Sequence, residues 1–286
     1  MLQNSYQSPP VLHSPWISRL LEAYYRGPGH PAKFRVLNYL EGALGHKRIL
    51  VKSRYGFVMA VDSRDLVQRH VLSLGEYEPE ISRLLRNTLQ ADDVYIDIGA
   101  NVGYHACLAL RCGARRVICF EPDPLNCQIM SFNFALNKFQ SYDIFKYALD
   151  AQDGERVFYR APINNVGKSG LTKIDGSVPF NVRTASLTLV AKKHVFPRAT
   201  VIKIDVEGWE LAVLRGAAEF LKETQPRQII FESSLQAGGP DPEVKHLLNE
   251  LGYRLAHIPR DDGSIQEAEN FVALRNGDSS LERLIG

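Results

Sequence analysis

A predicted strand, a glycine turn and a predicted helix follow one another in residues 94–110, and this segment constrains the fold most strongly. Val94–Ile98 is a short, mostly apolar run that predicts a buried strand. Gly99–Gly103 predicts a turn, after which Tyr104–Leu110 is typical of an apolar helix. This order places backbone N–H groups and a helix N-terminus beside a ligand, although many turns of this kind bind nothing.

Strands and helices alternate from Asp93 onward, and this alternation predicts the fold class. Further strands are expected at 117–120, 144–148, 200–204 and 228–231, with helices at 124–137, 209–220 and 242–251. Repeated strand–helix units predict a parallel sheet covered by helices. Two final strands, at 253–258 and 271–275, have no helix between them, which predicts one antiparallel strand at an edge of the sheet.

The stretch between Tyr159 and Thr200 does not follow this alternation. It is rich in Gly, Asn, Ser and Thr, and it carries many basic residues against a single acid, Asp175. We therefore expect a long basic loop over residues 160–200. Its positive charge would either face solvent or meet an acidic substrate.

The size and composition of the chain fit one large domain with an accessory element. The 286 residues are 45% hydrophobic and 23% charged, as in an ordinary globular protein. Residues 1–75 are predicted to form a cap of short helices and a hairpin, and residues 76–286 the main domain. No apolar run approaches the roughly 20 residues of a membrane span, so no membrane partner is expected.

The four cysteines, at positions 107, 112, 119 and 127, lie close together in the sequence. Their spacing differs from the paired C-x₂-C pattern of zinc sites. We interpret them as small hydrophobic residues of a reducing compartment. Because the N-terminal segment also lacks the basic and apolar regions of a secretory signal, the expected location is the cytoplasm.

An acidic residue follows the second predicted strand. Val117–Phe120 leads into Glu121-Pro122, about 20 residues after the glycine turn, where doubly wound nucleotide-binding folds place a carboxylate that binds ribose hydroxyls. An acid that merely precedes a helix is the alternative. The combination with the glycine turn favours Glu121 as a ribose ligand.

The composition of the glycine turn indicates which nucleotide would bind. Gly99-x-Asn101-x-Gly103 lacks both the G-x-G-x-x-G of dinucleotide-binding proteins and the G-x-x-x-x-G-K-[ST] of phosphate-binding loops. Asp97, two residues before the first glycine, would repel a pyrophosphate but suits a cation. S-adenosylmethionine has a sulfonium and an ammonium group, so the turn favours a methyl donor over NAD.

Three acidic residues surround the end of the fourth predicted strand. Asp205, Glu207 and Glu210 follow the apolar residues of that strand closely. Ligands bind at the carboxyl ends of strands in open α/β sheets. Acids also stabilise helix N-termini, but three of them exceed what a cap requires. We therefore expect these carboxylates to have a functional role.

Three segments together carry a family resemblance. They are D-x-G-A-N-x-G at 97–103, the strand ending in E-P at 121–122, and K-I-D-V-E-G at 203–208. In this combination the chain resembles the FkbM family of S-adenosylmethionine-dependent methyltransferases, most strongly over residues 75–231. Gly75-Glu76-Tyr77-Glu78-Pro79 resembles the family as well. The resemblance implies a Rossmann-like class I methyltransferase fold with a mostly parallel seven-stranded sheet, and O-methylation of a hydroxyl on a sugar or secondary metabolite.

The resemblance also implies a donor site. Its residues would be Asp97, Gly99, Asn101, Gly103, Tyr104, Glu121, Pro122, Ala148, Leu149 and Asp205. The glycine turn would line the methionine portion and Glu121 would hold the ribose, while Ala148 and Leu149 would border the adenine. Asp205 would face either the methionine ammonium or the methyl acceptor.

An alcohol acceptor requires a base, because its proton must leave as the new bond forms. The candidates are Glu207, Asp205, Glu232, His105 and His194, and we favour Glu207. His105 follows the glycine turn, where a helix N-terminus disfavours its protonation. A purely structural role for His105 is equally compatible with the sequence.

Several alternatives stay open at this point. Asp205, Glu207 and Glu232 could converge on a hard cation, although we expect no metal requirement. Methylation of nucleic acid is disfavoured, because the sequence has neither an Asn-Pro-Pro-Tyr segment nor a basic stripe with interspersed aromatics outside residues 160–200. A protein that binds the donor without transferring methyl is the non-enzymatic alternative. No motif in the sequence identifies the methyl acceptor. A homodimer through the cap or the sheet edge is compatible with the sequence.

Overall fold

The structure, a computed structural model, describes residues 11–29, 33–45, 47–236, 239–261 and 263–275. The helices are α1 (Pro15–Arg26), α2 (Lys33–Leu44), α3 (Leu66–Leu74), α4 (Pro79–Thr88), α5 (Tyr104–Arg111), α6 (Pro124–Leu136), α7 (Leu187–His194), α8 (Glu210–Thr224) and α9 (Pro242–Glu250). The strands are β1 (Ile49–Lys52), β2 (Val58–Val61), β3 (Val94–Ile98), β4 (Arg116–Phe120), β5 (Tyr142–Phe145), β6 (Ala148–Leu149), β7 (Gly154–Arg160), β8 (Val178–Ala185), β9 (Val201–Ile204), β10 (Gln228–Ser234), β11 (Tyr253–His257) and β12 (Ala268–Arg275).

A seven-stranded sheet lies at the centre, in the order β11-β12-β10-β9-β3-β4-β5. The pairs among β5, β4, β3, β9 and β10 are all parallel. β12 runs antiparallel to both of its neighbours. The predicted Rossmann-like α/β fold, with a mostly parallel seven-stranded sheet and one antiparallel strand, is therefore confirmed.

The antiparallel strand lies one position inside the sheet, and the sequence-based prediction of an edge position was wrong in this detail. β12 is inserted between β10 and β11, and six consecutive residues of it are buried. A strand that is paired on both sides and covered on both faces needs such a continuous buried run. β11 forms the edge instead, where Arg254 and His257 are exposed.

Helices cover both faces of the central sheet, and two hydrophobic cores result. Along β3, Tyr95 belongs to one core, whereas Val94, Ile96 and Ile98 belong to the other, because successive side chains point to opposite faces. The first core lies under α4, α5 and α6, and the second under α7, α8 and α9. Within the described residues, no helix combines the length and the apolar character that a membrane crossing requires.

The N-terminal elements α1, α2, β1, β2 and α3 share the first core. Leu21 of α1 is buried in the same cluster as Phe134 of α6. The side-chain oxygen of Asn133 also accepts a hydrogen bond of 2.9 Å from the backbone N–H of Ala60. These elements therefore pack on the main domain as a cap would, while the boundary between residues 75 and 76 stays a prediction.

Residues 160–200 do not form the predicted long loop. They contain a 3₁₀ helix (Ile163–Lys168), strand β8 and helix α7, and β8 joins β6 and β7 in a three-stranded sheet. Phe180 and Val182 alternate with polar residues along β8, and this period-two pattern was hidden by the polar composition of the stretch. The strand predicted at 144–148 is divided between β5 and β6.

A glycine inside α8 allows this helix to pack closely on the small sheet. A Cβ atom at Gly216 would lie 2.0 Å from the backbone oxygen of Asp150. Backbone oxygens cannot move aside as the end of a side chain can. Gly216 therefore allows α8 to lie close to the backbone at Asp150. The position of α8 in turn determines where the residues beside its N-terminus lie.

Replacing this glycine tests the close packing. We expect Gly216→Ala to lower the free energy of unfolding by about 3 kcal/mol, the upper part of the range for overpacked sites. Gly42→Ala is the matched control, because Gly42 also lies in a helix but has no atom within 4 Å of the added Cβ. That variant should be unchanged or more stable by up to about 1 kcal/mol. Guanidinium unfolding measures both, and equal stability of the two variants would contradict the packing.

Candidate active site

A cleft of about 1050 Å³ lies at the carboxyl ends of β3, β4, β9 and β10. In the sheet, β4 and β5 lie on one side of β3, whereas β9 and β10 lie on its other side. The strand order therefore reverses between β3 and β9, and the cleft lies at this reversal. Open α/β sheets bind their ligands at this point. The outer walls come from the start of α4, from residues 166–171 and from the segment between β11 and β12.

The glycine turn is packed against the end of β9 and against α6. A Cβ atom at Gly99 would lie 1.8 Å from the backbone oxygen of Asp205, and one at Gly103 would lie 2.5 Å from Cγ of Met130. Both glycines have φ above +80°. Only glycine meets the steric and the conformational requirement together.

Glu121 fastens this turn to the end of β4. Its Oε2 accepts a hydrogen bond of 2.8 Å from the backbone N–H of Asn101, and its Oε1 accepts one of 2.8 Å from that of Asp123. Burial raises the pKa of Glu121 to about 7, although these two N–H groups oppose the shift. A carboxylate oxygen has two lone pairs, so Glu121 keeps acceptor capacity toward the cleft that it lines.

One buried lysine lies among the carboxylates of the cleft floor. Lys203 of β9 is 3% exposed, and it is aligned with Asp97 across the β3–β9 pair. Its Nζ donates a hydrogen bond of 2.6 Å to Oδ2 of Asp205 and lies 3.7 Å from Oε2 of Glu78. Burial disfavours the ammonium form, but these carboxylates outweigh burial and raise the pKa of Lys203.

The carboxyl groups of Asp97, Glu207 and Glu232 have raised pKa values. Burial, opposed by Lys203, raises the pKa of Asp97 to about 6. Burial and the charge of Asp205 raise the pKa of Glu207 to about 8 and that of Glu232 to about 8. The charges of Lys168 and Lys203 oppose the shift at Glu207 without cancelling it, so the cluster favours protonation of Glu207 near neutral pH.

Asp205, Glu207 and Glu232 come together at one side of the cleft. Each offers a carboxylate oxygen, and these oxygens lie within 4.8 Å of one another. The grouping contains the carboxylates that the sequence analysis singled out at the ends of β9 and β10. It could hold a hard cation, or it could raise the pKa of one member enough to make it a base.

The two candidate histidines have different positions. His105 is buried beside the cleft, its Nε2 has no hydrogen-bond partner, and burial lowers its pKa well below the usual range. His194 instead packs on Phe145, with the ring centroids 4.8 Å apart, and borders a separate cavity. The candidate base His194 was therefore wrong, because α7 turns its C-terminal end away from the cleft.

The predicted donor-site residues line the cleft with one exception. Gly103 is the exception, since it faces Met130 behind the turn. The contact of Gly103 with the donor stays a prediction. His105, Glu207 and Glu232 line the cleft together with the donor-site residues.

Backbone strain is concentrated at the cleft. Among the described residues, the non-glycine positions with left-handed φ that do not follow a helix are Glu78, Asn101 and Glu207. All three line the cleft. Such conformations cost about 1–3 kcal/mol and occur preferentially at functional sites.

Several residues of the cleft and its rim were missed by the sequence analysis. Glu78 and Lys203 belong to the segments 75–79 and 203–208 that carry the family resemblance, but no function was predicted for either residue. The indole N–H of Trp209, a cleft residue, donates a hydrogen bond of 3.3 Å to Asp150. Arg160 forms a paired hydrogen bond with Asp123 that fastens β7 to the start of α6. Arg160 had no local signal, because its partner is distant in the sequence.

The strand order, the antiparallel β12 and a cleft at the β3–β9 reversal define a class I methyltransferase. The model of the methyltransferase FkbM domain matches residues 97–255, which is more than half of the chain. The chain belongs to the FkbM methyltransferase family. It is therefore a methyltransferase that uses S-adenosylmethionine.

Two curated relatives and one solved structure are similar to this chain. Hexuronic acid methyltransferase AglP from Haloferax volcanii is 29% identical over 188 residues, which cover 65% of this chain and 74% of that protein. Methyltransferase sdnD from Sordaria araneosa is 24% identical over 196 residues, covering 58% of this chain and 75% of that protein. The crystal structure of methyltransferase FkbM from Methylobacillus flagellatus KT is 16% identical with a TM-score of 0.46, covering 73% of this chain and 52% of that chain.

The side chains of the cleft fit this donor. Oδ2 of Asp97, Oδ1 of Asn101 and Oε2 of Glu78 are buried and have no hydrogen-bond partner among the residues that the structure describes. All three are acceptors, and a buried unpaired acceptor costs about 1–3 kcal/mol. S-adenosylmethionine has an ammonium group and hydroxyl groups that can donate hydrogen bonds to these three acceptors. It also has a positive charge, which favours the ionised form of the two carboxyl groups.

Donor binding should release protons. A cationic ligand favours ionised carboxylates, so pKa values raised to between about 6 and about 8 should fall when it binds. We expect calorimetric titration with S-adenosylmethionine at pH 7 to give different apparent enthalpies in phosphate and in Tris, with the sign of proton release. The difference should shrink at pH 9, where these groups are already ionised. Equal enthalpies at pH 7, or proton uptake, would contradict the electrostatic description.

Proposed function

We propose that this chain transfers the methyl group of S-adenosylmethionine to a hydroxyl group of a sugar or a secondary metabolite. The observation that carries the proposal is a carboxylate with a raised pKa, Glu207, which lines the same cleft as Asp97, Asn101 and Glu121 and lies beside Asp205 and Glu232. The relative AglP, which is named for its action on a hexuronic acid, supports a sugar as acceptor. A small-molecule acceptor follows from this proposal.

The donor would be held by residues from three strand ends. Asp97 and Asn101 have unpaired acceptor atoms for the methionine portion. Glu121 has remaining lone pairs for the ribose hydroxyls, and Ala148 and Leu149 offer a buried apolar border for the adenine. When bound, the donor supplies a methyl group already activated by its sulfonium, so positioning accounts for much of the rate acceleration.

Glu207 would act as the general base. The acceptor oxygen forms a bond to the methyl carbon while the carbon–sulfur bond breaks, and Glu207 takes the hydroxyl proton. A base is most effective when its pKa is close to the working pH, and the pKa of Glu207 is raised to about 8 in the free protein. A cationic ligand in the cleft would lower this pKa and so favour the ionised carboxylate.

Metal-assisted transfer is the second candidate, and the convergence of Asp205, Glu207 and Glu232 favours it. We propose transfer without a metal, because Oδ2 of Asp205 already accepts a hydrogen bond of 2.6 Å from Lys203. An ammonium group at this carboxylate neutralises part of the charge that a cation would need.

Nucleic-acid methylation and donor binding without transfer are less well supported. The sequence has no Asn-Pro-Pro-Tyr segment, and the relative AglP is named for a sugar acid. Raised pKa values beside a strained backbone are typical of a site that performs proton transfer. A regulatory donor-binding protein has no need of such a carboxylate.

The proposed base can be tested by a conservative substitution. Glu207→Gln should lower kcat by about 10²- to 10⁴-fold, because the amide cannot accept the hydroxyl proton. Donor affinity measured by calorimetry should stay within a few-fold of wild type. Glu243→Gln is the control, since Glu243 is an exposed carboxylate that pairs with Arg215 outside the cleft. Collapse of donor affinity in Glu207→Gln would assign Glu207 to donor binding instead.

The acceptor class and the metal question can be tested in one assay. We expect mass spectrometry to detect a 14 Da increase on at least one member of a panel of sugars, sugar acids and hydroxylated natural products. Activity should be the same with EDTA and with added Mg²⁺. Activity that disappears in EDTA and returns with Mg²⁺ would favour the metal-assisted candidate. Methylation of RNA or DNA in the same assay, without transfer to any small molecule, would contradict the proposed function.

A further inference from the structure

Glu78 has a backbone conformation that its neighbours in the sequence disfavour. It lies at the N-cap of α4 with φ 43° and ψ 73°, and it precedes Pro79. Residues before proline prefer extended conformations, and non-glycine residues rarely adopt left-handed ones. The side chain makes no capping hydrogen bond to its own helix, so helix capping does not explain the conformation.

The Glu78 side chain is part of the cleft lining. The side chain is 14% exposed, and Oε1 accepts a long hydrogen bond of 3.4 Å from the side-chain N–H₂ of Asn270. Oε2 is buried and has no hydrogen-bond partner within the described part of the chain. A carboxylate oxygen in this situation needs a donor that the described residues do not supply.

The two nearest polar groups do not satisfy this oxygen. Nζ of Lys203 and Nε2 of His105 each lie 3.7 Å from Oε2 of Glu78, beyond hydrogen-bond distance. Lys203 is held instead by Asp205 at 2.6 Å. His105 is buried with a lowered pKa, so it is neutral and provides no positive charge.

We infer that Glu78 is a further donor-binding residue, and that its Oε2 accepts the ammonium group of S-adenosylmethionine. An ammonium has three N–H donors and a full positive charge, and it can serve two acceptors at once. Oδ2 of Asp97 is also buried, unpaired and part of the same cleft wall. Glu78 and Asp97 together form an ammonium subsite at the methionine end of the cleft. This inference rests on the donor half of the proposed function and is independent of the acceptor.

A pair of ligands separates this role from a purely structural one. S-adenosylhomocysteine has the ammonium group, whereas 5′-methylthioadenosine has the same adenosine and thioether but no amino acid portion. In Glu78→Gln the affinity for S-adenosylhomocysteine should fall by about 10- to 100-fold, as expected for the loss of a hydrogen bond to a charged group. The affinity for 5′-methylthioadenosine should change less than twofold. Both affinities are measured by calorimetry on the full chain.

Glu76→Gln is the matched control. Glu76 lies two residues before Glu78 and loses the same charge, but its carboxylate pairs with Arg54 and accepts a hydrogen bond of 2.9 Å from Tyr55, away from the residues that line the cleft. This variant should bind both ligands within about twofold of wild type. A thermal unfolding measurement on each variant verifies that the fold is retained.

Each remaining outcome contradicts the inference in a distinguishable way. Equal losses of affinity for both ligands in Glu78→Gln would assign Glu78 to the structure of the cleft wall, and unchanged affinities would exclude the contact. A loss in Glu76→Gln as large as that in Glu78→Gln would indicate a general charge effect. Wild-type protein that binds neither ligand would contradict the donor assignment itself. Because the assay contains no acceptor, failure to methylate sugars leaves the inference intact.

Discussion

The close approach of the Gly99 turn to the end of β9 is the contact on which the site depends. No side chain fits between the turn and the backbone oxygen of Asp205. The turn that follows β3 is therefore in direct contact with the end of β9, the first strand of the other half of the sheet. This contact brings Asp97, Lys203 and Asp205 into one cluster, although more than 100 positions separate Asp97 from the other two.

The charges of this cluster are balanced only in part by the protein. Lys203 is the buried cation of the cleft floor, and several carboxylates share it. Asp97 and Glu78 have raised pKa values, and each has one oxygen without a hydrogen-bond partner among the described residues. Both observations have the same physical cause, because these carboxyl groups are buried without enough positive charge or hydrogen-bond donors around them. A cationic ligand with N–H donors corrects both deficits. The electrostatics of the floor thus favour the positively charged methyl donor over a phosphorylated nucleotide.

The outer walls of the cleft come from parts of the chain that are far apart in sequence. The start of α4 contributes Glu78, and the segment after β7 contributes Gly170, which packs on Glu207. Asn270 of β12 donates a hydrogen bond of 3.4 Å to Glu78. Each contact depends on how α4, the small sheet and β12 pack around the central sheet. Walls of this kind can differ between members of one family, which is why family membership identifies the donor more readily than the acceptor.

The sequence by itself determined the α/β fold, the glycine turn and the carboxylates at strand ends such as Glu121 and Asp205. These features have short-range signals, because a strand, a turn and the residue that follows them are contiguous in the chain. The tertiary structure alone decided that β12 is inserted inside the sheet, that His194 faces away from the cleft and that Glu78 faces into it. These outcomes depend on packing between distant segments, and local periodicity and composition contain no information about which segments meet.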